Sequence, residues 1–193
     1  NTLKSMYSMI SDVSADETVG MIAEKASNCA IMGARGNSGG ILSQMSHGIS
    51  RGLRGRKTAS RTQKEKAFQY GILYAYRAVT KPVEGTILSV ARGIAKGTYE
   101  VIRQEPDFSK VLESAIGHGN DALAKTPEQL KILKDANVVD AGGQGLIFFL
   151  IGCLNGLTGK VSEVNLEIKP VISRLEAKGE SFSIEYPYCT EFI

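Results

Sequence analysis

MGARGNSGGILSQ, residues 32–44, puts four glycines, one Asn and one Ser in front of an apolar run. Two structures satisfy that composition. One is a tight turn that starts a helix, since Asn, Ser and Gly all suit a helix N-terminus. The other is a cradle for phosphates: the first-turn N–H groups of a helix lack intrahelical acceptors, and the positive end of the helix dipole lies there. Gly lets a ligand approach the backbone closely, while Asn37 and Ser38 can donate side-chain hydrogen bonds. Composition does not choose between the two, so the surrounding chain has to.

Helical periodicity surrounds the stretch. Leu3, Met6, Tyr7 and Ile10 recur at helical spacing and predict a first helix over residues 1–11. A second is expected with its cap at Ser14 or Asp16, a stripe of Val19, Ile22, Ala26, Cys29 and Ala30, and an end at Gly33 or Gly36. The third opens at Ser38 and carries Ile41, Leu42, Met45 and Ile49. RGLRGRKTASR, residues 51–61, reads as a basic loop. A fourth helix over 62–80, with Phe68, Ile72, Ala75 and Val79 on one face, is broken at Pro82. A fifth covers 86–104, and a sixth runs from beyond Asp107 to about Lys125. Thr126-Pro127 places Pro at the first position of a short seventh, ending near Ala136. NVVDAGGQG reads as a turn before an eighth helix over 146–157. After Gly159 the pattern alternates, and VSEVNLEIKP and SFSIEYPYCTEFI read as strands. The expected fold class is all-α, about eight antiparallel helices in a barrel-like bundle over 1–160. Residues 161–193 are then a linker and the first strand of a truncated following domain.

Bulk properties agree with a globular chain. Of 193 residues, 42% are hydrophobic and 22% charged, enough to bury a core. The net charge of +3 is too small to imply nucleic-acid binding. With 21 Gly and no Trp, closely packed small-residue helices are expected, with Gly93/Gly97 and Gly152/Gly156 as contact pairs. No apolar run reaches the roughly 18–20 residues of a membrane span. Residues 145–157 read instead as a buried helix. No signal peptide stands at the start, and Asn1 is not an initiating residue, so further residues are expected upstream. Cys29, Cys153 and Cys189 are odd in number and far apart, which favours a reducing cytoplasm, with Cys29 and Cys153 as buried, inert thiols.

Two further turns share the composition of the first, at Glu84-Gly85-Thr86 and at Asp140-Ala141-Gly142-Gly143. None is followed by Gly-Lys-Ser/Thr, and no strand precedes them, so the familiar nucleotide folds are excluded. Each alone is weak evidence, since a Gly/Ser helix start is more often only a cap.

Together, GARGNSGGILSQ, KPVEGTILSVA and VVDAGGQGL, in this order and about fifty residues apart, resemble one nucleotide-binding domain. It is shared by the L subunit of dihydroxyacetone kinases and, more closely, by the N-terminal domain of bacterial fatty-acid kinases. YPYCTEFI resembles the opening strand of the middle domain of the latter group. The resemblance implies helices whose loops at one end hold ATP or ADP. The phosphate contacts would be Asn37, Ser38 and Gly39. Gly85, Thr86, Asp140, Ala141 and Gly142 would lie beside the nucleotide, and Thr126 and Pro127 match another contact region loosely. It also implies a parent that phosphorylates a fatty acid held by a separate lipid-binding protein, giving an acyl phosphate, and it admits a homodimer. The family's acidic loop, whose aspartates bind Mg²⁺, has no counterpart after Asn1, so its ligands are expected upstream. These 193 residues are therefore expected to be inactive by themselves. No catalytic residue is assigned. A dihydroxyacetone kinase L-type subunit, or a non-catalytic helical regulator of the same fold, is the alternative.

The remaining candidates have plainer readings. His47 and His118 suit packed or solvated positions better than a metal or acid–base pair. Arg35 is either a phosphate clamp or a surface arginine. The run Arg51, Arg54, Arg56, Lys57 and Arg61 suits a solvated loop, or a surface for an acidic partner protein. Cys189 aligns with a zinc-binding cysteine of the fatty-acid kinase group, but its companion histidines would lie beyond Ile193.

Overall fold

A computed structural model of the chain describes residues 1–160 except 12, 15 and 103. The strands expected over 161–193, and Cys189, lie outside the described residues. Nine helices are present among the described ones: α1 (Thr2–Ile10), α2 (Val19–Gly33), α3 (Gly36–Leu53), α4 (Arg61–Arg77), α5 (Ile87–Val101), α6 (Phe108–Ala124), α7 (Thr126–Gln129), α8 (Lys131–Ala136) and α9 (Ala141–Leu157). The all-α expectation holds.

Consecutive helices from α1 to α6 pack on one another, and α9 turns back onto both α5 and α6. That return replaces the expected barrel, because α9 spends its apolar face on a three-helix cluster. One core joins α3, α4, α5, α6 and α9 through residues such as Met45, Phe68, Val90, Ile94, Ala115 and Leu150. Burying a side chain of this kind stabilises the fold by about 1.5–3 kcal/mol. Close approach depends on glycine, as anticipated for one of the two pairs. A Cβ on Gly93 or Gly97 would lie 2.7 Å from the His118 carbonyl oxygen or 2.6 Å from the His118 ring, respectively. Gly152 and Gly156, in contrast, face open space.

Other boundaries differ for identifiable reasons. The cap of α2 is Thr18, whose hydroxyl accepts from the Met21 N–H. Ser14 and Asp16 are used in the preceding turn, where the Ser14 hydroxyl accepts from the Asp16 N–H. Helix α3 runs through Leu53 and absorbs the start of the basic loop. The expected seventh helix splits at Leu130, whose backbone is extended (φ −129°, ψ 109°). Helix α9 starts at Ala141 rather than 146, because Asp140 caps it and Gly143 is buried within it. Only one face of α9 is buried. Phe148 is 62% exposed, and among the described residues none after Leu150 is buried. Cys153, expected to be buried, is therefore exposed, and Cys29 is half-buried. None of the described helices is long and apolar enough to cross a membrane.

Candidate functional site

Helix α3 begins at Gly36, which adopts φ +66°. That left-handed conformation carries no penalty for glycine. The preceding residue, Arg35, gives the helix no side-chain cap. Its guanidinium folds back instead, donating to the Met32 and Ala34 carbonyls at 3.3 and 2.6 Å. Arg35 thus closes the end of α2 and is not extended as a clamp. Asn37 and Ser38 are exposed, and Gly39 lies against the Thr2 hydroxyl, 3.0 Å from where its Cβ would be.

Helix α5 begins after Gly85, at φ +80° and buried. The Gly85 N–H donates to the Ser89 hydroxyl at 2.9 Å, and that hydroxyl donates to Glu84 at 2.7 Å. Glu84 also pairs with Arg92, which donates to the Tyr76 oxygen at 3.0 Å. The Arg92 guanidinium, and next the Ser89 hydroxyl, hold the Glu84 carboxyl below the usual carboxylate range. Thr86 is the cap, its hydroxyl accepting from the Leu88 N–H at 3.4 Å.

Helix α9 is capped by Asp140, whose carboxylate accepts from the Gly143 N–H at 2.6 Å. The Asp140 N–H in turn donates to the Thr126 hydroxyl at 3.1 Å. Thr126 is fully buried and donates to the Leu123 carbonyl at 2.7 Å. It is a support behind the turn, which corrects the loose expectation of a ligand contact there.

The three helix starts meet at Gly142. A Cβ there would stand 2.7 Å from the Ser38 hydroxyl of α3 and 3.4 Å from the Ile87 Cβ of α5. Gly85 is wedged against α7 and α8, its Cβ position 3.0 Å from the Thr126 carbonyl and 2.8 Å from the Leu130 Cβ. The structure therefore connects Asn37, Ser38 and Gly39 with Gly85 and Thr86, and with Asp140, Ala141 and Gly142. The starts of three helices thus lie close together, each carrying about half a positive charge. Gly142 is packed closely there, and a methyl group on it would clash with the Ser38 hydroxyl. Mg²⁺ is not served in the same way. Of the two acidic residues in these turns, Asp140 is engaged as a cap and Glu84 is paired with Arg92. Among the described residues no trio of His, Cys, Asp or Glu could hold a metal.

Sequence reasoning missed the Glu84–Arg92–Tyr76 clip and the role of Thr126. The signal for the clip was present in Ser89, one turn into an otherwise apolar helix. The two histidines stand apart. His47 shares a hydrogen bond with Ser27 at 3.3 Å, and His118 pairs with Glu100 at 3.0 Å.

The sequence profile described as the DAK2 domain matches residues 1–155. The chain is 38% identical over 184 residues to an uncharacterized protein of Staphylococcus haemolyticus, with 92% of this chain and 33% of the relative covered. It is 37% identical over 183 residues to one of Staphylococcus epidermidis, with the same two shares of 92% and 33%. To Protein YloV of Bacillus subtilis it is 34% identical over 183 residues, covering 91% of this chain and 33% of that protein. The chain thus spans about a third of the length of these relatives.

Proposed function

From the premise that the chain belongs to the DAK2 domain family, a nucleotide-binding domain of the dihydroxyacetone-kinase-like superfamily, we propose that the junction of α3, α5 and α9 binds the phosphates of ATP or ADP. The observation that carries this reading is the meeting of Ser38, Ile87 and Gly142 at the three helix starts. First-turn N–H groups of α3 and α9 would donate to phosphate oxygens, joined by the Asn37 amide and the Ser38 hydroxyl. Gly85 and Thr86 would fix the third wall. Such donors are already oriented, so binding costs little reorganisation.

The finer reading rests on the sequence resemblance. The parent protein transfers the γ-phosphoryl group of ATP to a carboxylate oxygen of a fatty acid, giving ADP and an acyl phosphate. The fatty acid is presented by a separate lipid-binding protein. Mg²⁺, when bound, neutralises charge on the β- and γ-phosphates. On this reading the ligands of Mg²⁺ come from the family's acidic loop, and this chain holds the nucleotide without turning over alone.

Calorimetric titration of ADP into the 193-residue chain tests the binding site. Saturable binding that weakens at least tenfold on Ser38→Ala combined with Asn37→Ala is expected. Binding unchanged by that pair would place the nucleotide elsewhere. Phosphoryl transfer by the purified chain with Mg²⁺ and ATP would overturn the statement that it is inactive alone.

A further inference from the structure

A polar pocket lies between α2 and the last turns of α3. Its volume is about 90 Å³. The space is on the scale of one small oxyanion. The pocket is about 16 Å along α3 from Gly36, at a rise of about 1.5 Å per residue to His47.

Its inner wall is His47 and Ser50, its outer edge Arg51 and Arg54, and α2 supplies Glu24 and Asn28. Ser50 is only 8% exposed and lines the pocket beside His47. His47 is held in place, with Nδ1 on the Ser27 hydroxyl at 3.3 Å and its ring edge-on to Tyr74 at 5.4 Å. That arrangement leaves Nε2 for a ligand. Arg51 and Arg54 are exposed and have no carboxylate partner among the described residues. The walls are tied together. The Val19 and Gly20 N–H groups donate to the Lys57 and Arg56 carbonyls at 3.1 and 3.0 Å, anchoring the turn that carries Arg54. Gly20 is required there, since a Cβ would lie 2.6 Å from the Leu53 carbonyl oxygen.

We propose that this pocket binds inorganic phosphate, in a form that still carries a proton. Two guanidiniums, the Ser50 hydroxyl and the Asn28 amide donate to its unprotonated oxygens. Glu24 is the selective element. An ionised carboxylate only accepts hydrogen bonds, so it is satisfied by a phosphate O–H and repelled by an oxyanion without one. Sulfate, of the same shape and fully deprotonated near neutral pH, is the discriminating probe.

The test is a titration of the 193-residue chain with phosphate and with sulfate at matched ionic strength, read by NMR at the two histidine rings. His47 should shift saturably with phosphate, at least tenfold more tightly than with sulfate, while His118 stays still. Glu24→Gln should bring the two anions to within about threefold of each other. Arg51→Gln combined with Arg54→Gln, both exposed positions, should abolish the His47 shift and leave the His118 signal in place. The wild-type comparison needs no variant and decides first. Equal response to both anions, no shift at His47, or phosphate binding that survives loss of both arginines would each overturn the proposal.

Discussion

Gly142 shows how one missing methyl group shapes the molecule. Its hydrogen atom faces the Ser38 hydroxyl at a distance no Cβ tolerates. Gly142→Ala should therefore push α3 and α9 apart at their starts and lower ADP affinity at least tenfold, as read by calorimetry. Affinity equal to wild type would mean the cradle is not used. Thr126 gives the second prediction at this scale. Thr126→Val keeps the shape but strips the Asp140 N–H and the Leu123 carbonyl of a buried partner, which costs about 1–3 kcal/mol. Thr126→Ser keeps both hydrogen bonds and should lose less, and urea unfolding of the pair separates the two. The importance of Thr126 was not legible in the sequence, where Thr-Pro reads as an ordinary helix start. The turns that hold Ser38 and Gly142 were legible as alike, because they repeat one composition. The order in which they touch was not, since it depends on helices distant in the chain.

Among the elements, α5 shows how a turn is held by its own helix. Glu84, Ser89 and Arg92 fix the Gly85 turn from behind. The Glu84 carboxyl titrates below its ordinary range when folded, so its contribution is present above the ordinary carboxylate pKa and lost as pH falls through the depressed value. At neutral pH, Glu84→Gln should cost up to about 1 kcal/mol, the scale of an exposed ion pair. The gap between variant and wild type should close in acid, and urea midpoints at neutral and acid pH measure it. A gap that stays constant with pH would assign the effect to packing. Existence of the long helices was readable from periodicity, as the face Phe68, Ile72 and Ala75 of α4 shows. The first turn of α9 was not, because Ala-Gly-Gly-Gln-Gly has low helix propensity. The Asp140 cap and the fit of Gly143 against Val90 override it. The return of α9 in place of a barrel was equally invisible, since whether α9 meets α5 and α6 or another partner leaves the same apolar stripe.

At the scale of the whole molecule, a ligand that binds only the folded chain stabilises it by mass action. ADP at a hundred times its Kd should add about 2.7 kcal/mol, raising the unfolding temperature by roughly 5–10 °C for a chain of this size. Differential scanning calorimetry reads this directly, and an unchanged temperature at that concentration would contradict the proposed site. The molecule is not evenly built, however. Its main core joins α3 to α6 and α9, whereas α1 and α2 lie outside it. Regions with few buried apolar contacts open first in native-state amide exchange, so α1 should exchange its amide protons well before α5. Yet Thr2 of α1 rests against Gly39 in the first turn of α3. A nucleotide that steadies that turn should thus slow deuterium uptake in a helix it never touches, making α1 a remote gauge of occupancy.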